Sequence, residues 1–253
     1  MDATPFGIDF GGSGIKGAPV DLDTGEFIGD RVRIETPQPA APEAVASVFV
    51  ELLGRFPDSD GSVGVTVPAV VRRGVASSAA NIDRAWIGTD ADVLFTEATG
   101  RDVHVVNDAD AAGLAEVRYG AAAGRRGLVI LTTLGTGIGS ALVYDGVLVP
   151  NSELGHLEID GKDAEKSAAN SVREKQDLSY REWAERLTTY YRTLEKLLSP
   201  DLIVLGGGVS KHADKFLRHI DIETEIVPAQ LRNRAGIVGA ALWAAEGGDE
   251  AQR

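Results

Sequence analysis

The sequence contains no cysteine and no apolar run long enough to cross a bilayer. Absence of Cys from all 253 residues excludes disulfide bonds and thiolate metal sites and suits a reducing compartment, so we expect a cytoplasmic protein. A membrane span needs about 18 consecutive apolar residues, and "MDATPFGIDF" lacks the basic and apolar segments of a signal peptide. We therefore expect neither secretion nor membrane insertion.

Basic residues are scarce relative to acidic ones. The chain has 25 Lys and Arg against 38 Asp and Glu, which gives a net charge of −13. This excess argues against nucleic acid or an anionic membrane as the main partner, and a polyanionic substrate would need a local basic patch. Hydrophobic residues make up 43% of the chain, enough for one large or two smaller globular domains.

The first motif is the glycine-rich stretch "FGIDFGGSGIKG" at 6–17. Its last glycines match G-x-G-x-x-G, and Glu35 follows about twenty residues later, as in dinucleotide-binding folds. Those folds require a helix after the glycines, whereas "APVDL" with Pro19 favours a strand. The sequence also has no G-x-x-x-x-G-K-[ST] run. We expect neither a dinucleotide site nor a P-loop.

A second segment, "GLVILTTLGTGIGSALVYDGVLVPN" at 127–151, repeats the order of strand, glycine loop and hairpin. One such loop could be a glycine turn without a ligand, but two favour phosphate binding by backbone N–H groups, since Gly permits close approach and positive φ. A carboxylate beside an anion site indicates Mg²⁺, bound by Asp9 directly or through water. The candidate phosphate-binding residues are Asp9, Gly11, Gly12, Ser13, Gly14, Lys16, Thr133, Gly135, Thr136 and Gly137.

Three helices are predicted with distinct signals. Pro42 opens an amphipathic helix that extends to Phe56. Ser179 and Glu182 form a capping-box pattern for a helix that ends at Leu198. The segment "AGIVGAALWAAE" predicts a last helix, and "DLIVLGGGVSK" predicts a buried strand that enters a glycine turn.

The motifs "DFGGSGIK", "LGTGIGSAL" and "LIVLGGG" occur in an order that resembles the ROK-type sugar kinases of the actin-like superfamily. The resemblance implies an α/β fold of two similar actin-like (ribonuclease H-like) domains with a central cleft. We expect an N-terminal domain over 1–107, rejoined by a C-terminal helix at 236–247, and a C-terminal domain over 108–235.

One branch of that family, the polyphosphate glucokinases, is more similar still. The segments "GGSGIKG", "TPQPA", "NDADAAGLAE", "PNSELGHLEIDGK" and "RNRAGIVGAA" look like that branch. The resemblance implies phosphorylation of glucose at O6 with polyphosphate, and also ATP, as donor. It further implies Mg²⁺ as cofactor and a homodimer.

The same resemblance implies roles for residues on the sugar side. In "NDADAA", Asp108 corresponds to the general base that takes the proton of the 6-hydroxyl, and Asn107 to a sugar ligand. The alternative for Asp108 is that it only caps a helix. The segments "AANID" and "ELGHLE" supply the further sugar-binding candidates Asn81, Glu153, His156 and Glu158. On the donor side, "LIVLGGGVSK" supplies Gly207, Gly208 and Lys211.

Two departures from the family pattern affect these expectations. Many ROK kinases carry a cysteine-rich zinc site after the "GH" pair, and since this chain has no Cys we expect no zinc. Ala69 in "VPAVV" stands where the family usually has Gly, which puts sugar affinity in question. The alternatives are an ATP-only hexokinase for glucose, mannose or fructose, and a non-catalytic sugar-binding regulator. Because the first phosphate strand begins by Phe6, we expect no N-terminal helix-turn-helix domain.

Overall fold

A computed structural model describes residues 4–79 and 82–248 of the chain. Its strands are β1 (Phe6–Gly11), β2 (Gly14–Asp21), β3 (Glu26–Phe27), β4 (Val32–Ile34), β5 (Val63–Val67), β6 (Val71–Arg72), β7 (Val75–Ala76), β8 (Val103–Asn107), β9 (Leu128–Leu134), β10 (Ile138–Tyr144), β11 (Val147–Val149), β12 (Glu158–Ile159), β13 (Lys162–Asp163), β14 (Leu202–Gly206) and β15 (Ile226–Pro228). The α-helices are α1 (Pro42–Gly54), α2 (Ala91–Thr99), α3 (Asp108–Tyr119), α4 (Glu165–Ala168), α5 (Asn170–Lys175), α6 (Tyr180–Leu198) and α7 (Ala235–Ala245).

The chain forms two compact units, each built on its own sheet. Unit 1 comprises the described residues up to Ala111 together with those from Arg234 onward, and unit 2 comprises Ala112–Asn233. The sheet of unit 1 has the order β3-β2-β1-β5-β8, with β4 also paired to β2, and the sheet of unit 2 has the order β11-β10-β9-β14-β15. Each sheet joins an antiparallel three-stranded meander to two strands that run parallel to its first strand. The repeat predicted from the two glycine hairpins is therefore present in the topology.

The core of unit 1 lies between one face of its sheet and the helices α1 and α2. Phe10, Phe49, Trp86 and Phe95 are buried and pack ring against ring, with centroids 4.5 to 6.5 Å apart. Helix α7 packs against β1 and β5 through glycines, since a Cβ on Gly64 would lie 1.7 Å from the carbonyl oxygen of Ala240. The last helix thus packs directly on the strands that begin unit 1.

The core of unit 2 is centred on α6. The predicted capping box is confirmed: Ser179 Oγ accepts from the Glu182 N–H while the Glu182 carboxylate accepts from the Ser179 N–H at 2.9 Å. The apolar face of α6 buries Trp183, Leu187 and Leu194. The indole N–H of Trp183 donates to Ala168 at 2.8 Å, so burial leaves it satisfied.

Two segments form short elements only. The segment 26–35 forms two short strands, β3 and β4, that both pair with β2. The glycine turn after β14 opens a 3₁₀ segment, Gly208–Lys215, rather than an α-helix. The strand predicted after the first glycines is confirmed, because β2 begins at Gly14. Within the described residues, none of the helices combines the length and the hydropathy needed to span a membrane.

Candidate active site

The first glycine loop is a tight turn between β1 and β2, with Gly12 and Ser13 at its tip. Three side chains from the segment after β3 bond to the carbonyl oxygens of this turn. Thr36 Oγ1 donates to Gly11 at 2.5 Å, Gln38 Nε2 to Gly12 at 3.3 Å, and Arg33 Nη2 to Ser13 at 2.6 Å. The "TPQPA" segment, whose role the sequence left open, thus braces the predicted phosphate loop.

These bonds orient the backbone N–H groups of the turn. The C=O and the N–H of one trans peptide group point in opposite directions. Because the carbonyls of Gly11 and Gly12 are held toward Thr36 and Gln38, the N–H groups of Gly12 and Ser13 face the opposite side. Gly12 and Ser13 are exposed, so an anion can approach this side of the turn.

The structure revises the reason for glycine in this loop. Positive φ does not occur at Gly11, Gly12 or Gly14 in the described part of the chain. Instead, a Cβ on Gly14 would lie 2.5 Å from Nε of Arg33. Gly14 therefore makes room for the close approach of a guanidinium group.

Asp9 lies on β1 beside this turn. Its carboxylate accepts from Lys16 Nζ at 3.0 Å and from Thr66 Oγ1 at 3.3 Å. Thr66 is fully buried and also accepts from the Phe10 N–H. This arrangement fits Mg²⁺ held by one carboxylate, water and donor phosphate, which is how proteins commonly bind that ion.

The segment "NDAD" joins β8 to α3. Asn107 Oδ1 accepts from the N–H groups of Ala109 at 2.8 Å and Asp110 at 3.2 Å, so Asn107 is the N-cap of α3. Asp108 is the first residue of the helix, and its carboxylate is exposed. Asp108 Oδ1 also accepts from the Ala109 N–H at 2.9 Å, so both residues bond to the first turn of α3, and Asp110 is buried in that turn.

Ala69 is held by the same cap residue. Asn107 Nδ2 donates to the Ala69 carbonyl at 3.0 Å. The Ala69 methyl group is buried in the core of unit 1, and its φ is not positive. The backbone at this position therefore accepts Ala without strain, so the replacement of the family's usual Gly by Ala69 does not distort the chain here.

The second glycine loop, Gly135–Gly137, joins β9 to β10, with Thr133 near the end of β9. It is braced from α5, since the Ser171 N–H donates to the Gly135 carbonyl at 3.0 Å and Ser171 Oγ donates to the Thr136 carbonyl at 2.6 Å. By the same geometry as in the first loop, the N–H groups of Thr136 and Gly137 face away from α5. The two loops therefore share one device for orienting N–H groups.

Glu165, at the start of α4, connects this loop to the predicted sugar-binding residues. Its Oε2 accepts from the Ile138 N–H at 3.2 Å and would lie 2.3 Å from a Cβ on Gly137. Its Oε1 lies 3.9 Å from Nδ1 of His156. His156 also has Glu153 Oε2 at 3.9 Å from Nε2 and Asp163 Oδ2 at 3.7 Å from Nδ1.

Three carboxylates thus surround the imidazole of His156, and sequence reasoning found only one of them. Glu153 was predicted; Asp163 and Glu165 were not. The turn "IDGK" is the signal that could have indicated them. Positive φ at Asp160 and Gly161 closes the β12–β13 hairpin and returns the chain to His156. The predicted Glu158 lies exposed on β12, opposite Asp163.

The electrostatics of this group follow from burial and from charge. Burial raises the pKa of Glu153, with opposition from the charge of His156. The pKa of Asp163 is lowered, chiefly by its hydrogen bond with Lys166. His156, Asp163 and Glu165 have ligand atoms within 4.8 Å of one another and could hold a cation, although Lys166 Nζ already lies 2.8 Å from Asp163. The expectation of no zinc stays a prediction.

The remaining predicted residues fall at separate places. Gly207 has φ +82, and a Cβ there would lie 2.6 Å from the Leu134 carbonyl oxygen, so only Gly fits between β14 and β9. Gly208 and Lys211 are exposed in the 3₁₀ segment that follows. Asn81 lies outside the described residues.

Comparison with known proteins identifies the family. Residues 5–171 match the ROK family model. The chain is 54% identical over 238 residues to the polyphosphate glucokinase of Mycobacterium tuberculosis (strain CDC 1551 / Oshkosh), covering 94% of this chain and 89% of that protein. It is 26% identical over 315 residues to the glucokinase of Streptomyces coelicolor, covering 95% of this chain and 97% of that protein.

Solved structures agree with the predicted α/β fold class. The crystal structure of inorganic polyphosphate/ATP-glucomannokinase from Arthrobacter sp. strain KM superposes with a TM-score of 0.92 at 52% identity, covering 97% of this chain and 100% of that one. The ROK family glucokinase from Streptomyces griseus shares the fold, with a TM-score of 0.83 at 23% identity, covering 96% of this chain and 100% of that one. The chain belongs to the ROK family and has the actin-like fold of its sugar kinases.

Proposed function

We propose that this protein transfers a phosphoryl group from inorganic polyphosphate to the 6-hydroxyl of glucose, forming glucose 6-phosphate. The observation that carries the proposal is similarity to a polyphosphate glucokinase along nearly the whole chain. The polyphosphate/ATP-glucomannokinase from Arthrobacter supports ATP as a second donor and mannose as a second sugar to be tested.

Sugar binding is assigned to the carboxylates and the imidazole around His156. Carboxylate and imidazole groups form directional hydrogen bonds with hydroxyl groups, and Glu153 and His156 supply them. Glu165 joins them, because it lies beside His156. Asn107 and Asn81 are assigned to sugar hydroxyls by motif, and the Asn107 side chain already holds Ala69 and the start of α3.

Asp108 is assigned as the general base. Attack by an alcohol on phosphorus is easier when a carboxylate takes the hydroxyl proton as charge develops. Asp108 suits this role because it is exposed, while the cap of α3 is supplied by Asn107. Its Oδ1 accepts from the Ala109 N–H at 2.9 Å, which holds the carboxylate in place at the start of α3.

The two braced glycine loops are assigned to the donor phosphates. N–H groups fixed in advance stabilise developing negative charge without further reorganisation. Asp9 would hold Mg²⁺ directly or through water, and when bound the ion neutralises charge on the donor phosphates. Gly207, Gly208 and Lys211 are assigned to the far side of the donor.

The quaternary structure and the location of the protein also stay proposals. We expect a homodimer, and exposed Tyr144, Val147 and Val149 on β10 and the edge strand β11 supply an apolar surface for it. Light scattering of the purified protein measures the mass directly. The cysteine-free composition supports a cytoplasmic location.

A coupled assay of glucose 6-phosphate tests the proposal. The purified chain is supplied with glucose, MgCl₂ and either polyphosphate or ATP, and parallel reactions contain mannose or fructose. Product from polyphosphate and glucose is expected. Product with ATP alone would favour the ATP-only hexokinase, and no product with either donor would favour a non-catalytic sugar-binding protein.

A further inference from the structure

Lys16 and Arg33 are cross-strand neighbours next to the first phosphate turn. In the sheet of unit 1, Asp9 is paired with Lys16, and Lys16 with Arg33. Directly paired residues on adjacent strands project from the same face of a sheet. The three charged side chains therefore form a row across β1, β2 and β4.

This row contains two cations and one carboxylate. Asp9 pairs with Lys16 at 3.0 Å, and among the described residues none of the ion pairs includes Arg33. Like charges directly opposite each other on neighbouring strands repel. An anion bound between the two side chains would relieve that repulsion.

Arg33 is also held in place. Its Nη2 donates to the Ser13 carbonyl, and its guanidinium lies against the α-carbon of Gly14. A guanidinium has five N–H donors, and the bond to Ser13 uses one of them. Since Arg33 is exposed, it can present further donors to a phosphate while it braces the turn.

We propose that Lys16 and Arg33 form a subsite for a phosphate of the donor chain adjacent to the one that is transferred. This inference rests on the proposed function. On β2, Lys16 lies two residues, roughly 6.6 Å, from Gly14, and the guanidinium of Arg33 reaches back to Gly14, so a phosphate chain that begins at the turn passes beside both cations. A local positive site is required because the molecule as a whole carries a charge of −13.

The test compares Arg33→Ala and Arg33→Lys with Arg55→Ala, a surface Arg of the same unit that pairs with Glu51. Arg33→Ala should raise KM for polyphosphate and Kd for tripolyphosphate about tenfold or more, leaving KM for glucose unchanged. Arg33→Lys keeps the charge and should recover most of the loss. Arg55→Ala should behave like wild type, and Gly14→Ala, which displaces the guanidinium, should resemble Arg33→Ala.

The outcomes separate failure of the subsite from failure of the proposed function. If Arg33→Ala leaves both donor constants unchanged, or if Arg33→Lys is impaired as much as Arg33→Ala, the subsite is wrong. An equal rise in KM for glucose and for polyphosphate would likewise contradict it, since a general loss of structure would be the cause. If wild type forms no glucose 6-phosphate yet binds tripolyphosphate through Arg33, the subsite stands and the proposed function fails.

Discussion

Single glycines among the predicted donor-binding residues have separate physical reasons for being glycine. Gly14 makes room for the guanidinium of Arg33, and Gly137 makes room for the carboxylate of Glu165. Gly207 alone among these three has positive φ. The sequence predicted the positions but assigned a common reason, because a pattern of glycines does not reveal which side chain will approach it from a distant segment.

Glu153 provides a test at the residue scale. Burial raises its pKa in the folded protein, so the ionised form is less favourable there than in the unfolded chain. Glu153→Gln should therefore raise Tm slightly at about pH 7, and the gain should disappear toward about pH 3, well below the ordinary pKa, where both states are protonated. The same variant should bind glucose more weakly, as measured by titration calorimetry.

The control for this prediction is Glu158→Gln, an exposed carboxylate on β12. Its Tm should stay close to that of wild type at about pH 7. A gain for Glu153→Gln that is constant from acid to neutral pH would contradict the assigned cause, because only ionisation makes the difference depend on pH.

At the scale of elements, each phosphate hairpin depends on a segment that follows it in the chain. The segment that contains Thr36 and Gln38 holds the carbonyls of the β1–β2 turn, and α5 holds those of the β9–β10 loop. The hairpins can orient their N–H groups only when these braces are in place. The function of each hairpin therefore includes residues that have no phosphate-binding signature.

Ser171→Ala tests the brace on the second loop. Loss of the bond from Oγ to the Thr136 carbonyl should raise KM for the phosphate donor by about 2- to 10-fold, since a single neutral hydrogen bond contributes that much. KM for glucose should stay near the wild-type value. Ser167→Ala on α4 is the matched control, and equal effects of the two variants on the donor would contradict the brace.

Local signals in the sequence predicted most of these elements. The strand after the first glycines, the capping box of α6 and the last helix all follow from patterns within a few residues. The contacts of Asp163 and Glu165 with His156 were missed because they depend on how the β12–β13 hairpin closes. Asn107 was predicted as a sugar ligand from its motif, and its capping role emerges only from hydrogen bonds with α3.

At the scale of the whole molecule, the two units repeat one strand order. The sequence predicted this repeat from the hairpins, since two glycine loops at similar places in two apolar meanders are enough to suggest it. The packing of α7 on β1 and β5 depends on glycines far from it in sequence, and a single pattern could not predict that contact. The C-terminal helix thus covers strands that begin unit 1.

Gly64→Ala tests the packing of α7 on the sheet of unit 1. The added Cβ would meet the Ala240 carbonyl oxygen at 1.7 Å, so α7 must shift, and the free energy of unfolding should fall by about 3 kcal/mol. Urea denaturation measures the change. Gly54→Ala, where a Cβ would meet no atom within 4 Å, should leave stability unchanged or slightly higher, and equal losses in the two variants would contradict the account.

The most direct test of the proposed mechanism is the rate of glucose 6-phosphate formation from polyphosphate by Asp108→Asn. If Asp108 takes the proton of the 6-hydroxyl, kcat should fall by about 10²- to 10⁴-fold, with both KM values and Tm close to wild type. Asp102→Asn, which alters an exposed carboxylate just before β8, should keep full activity. An Asp108→Asn variant that retains most of the wild-type kcat would contradict the assignment of the base.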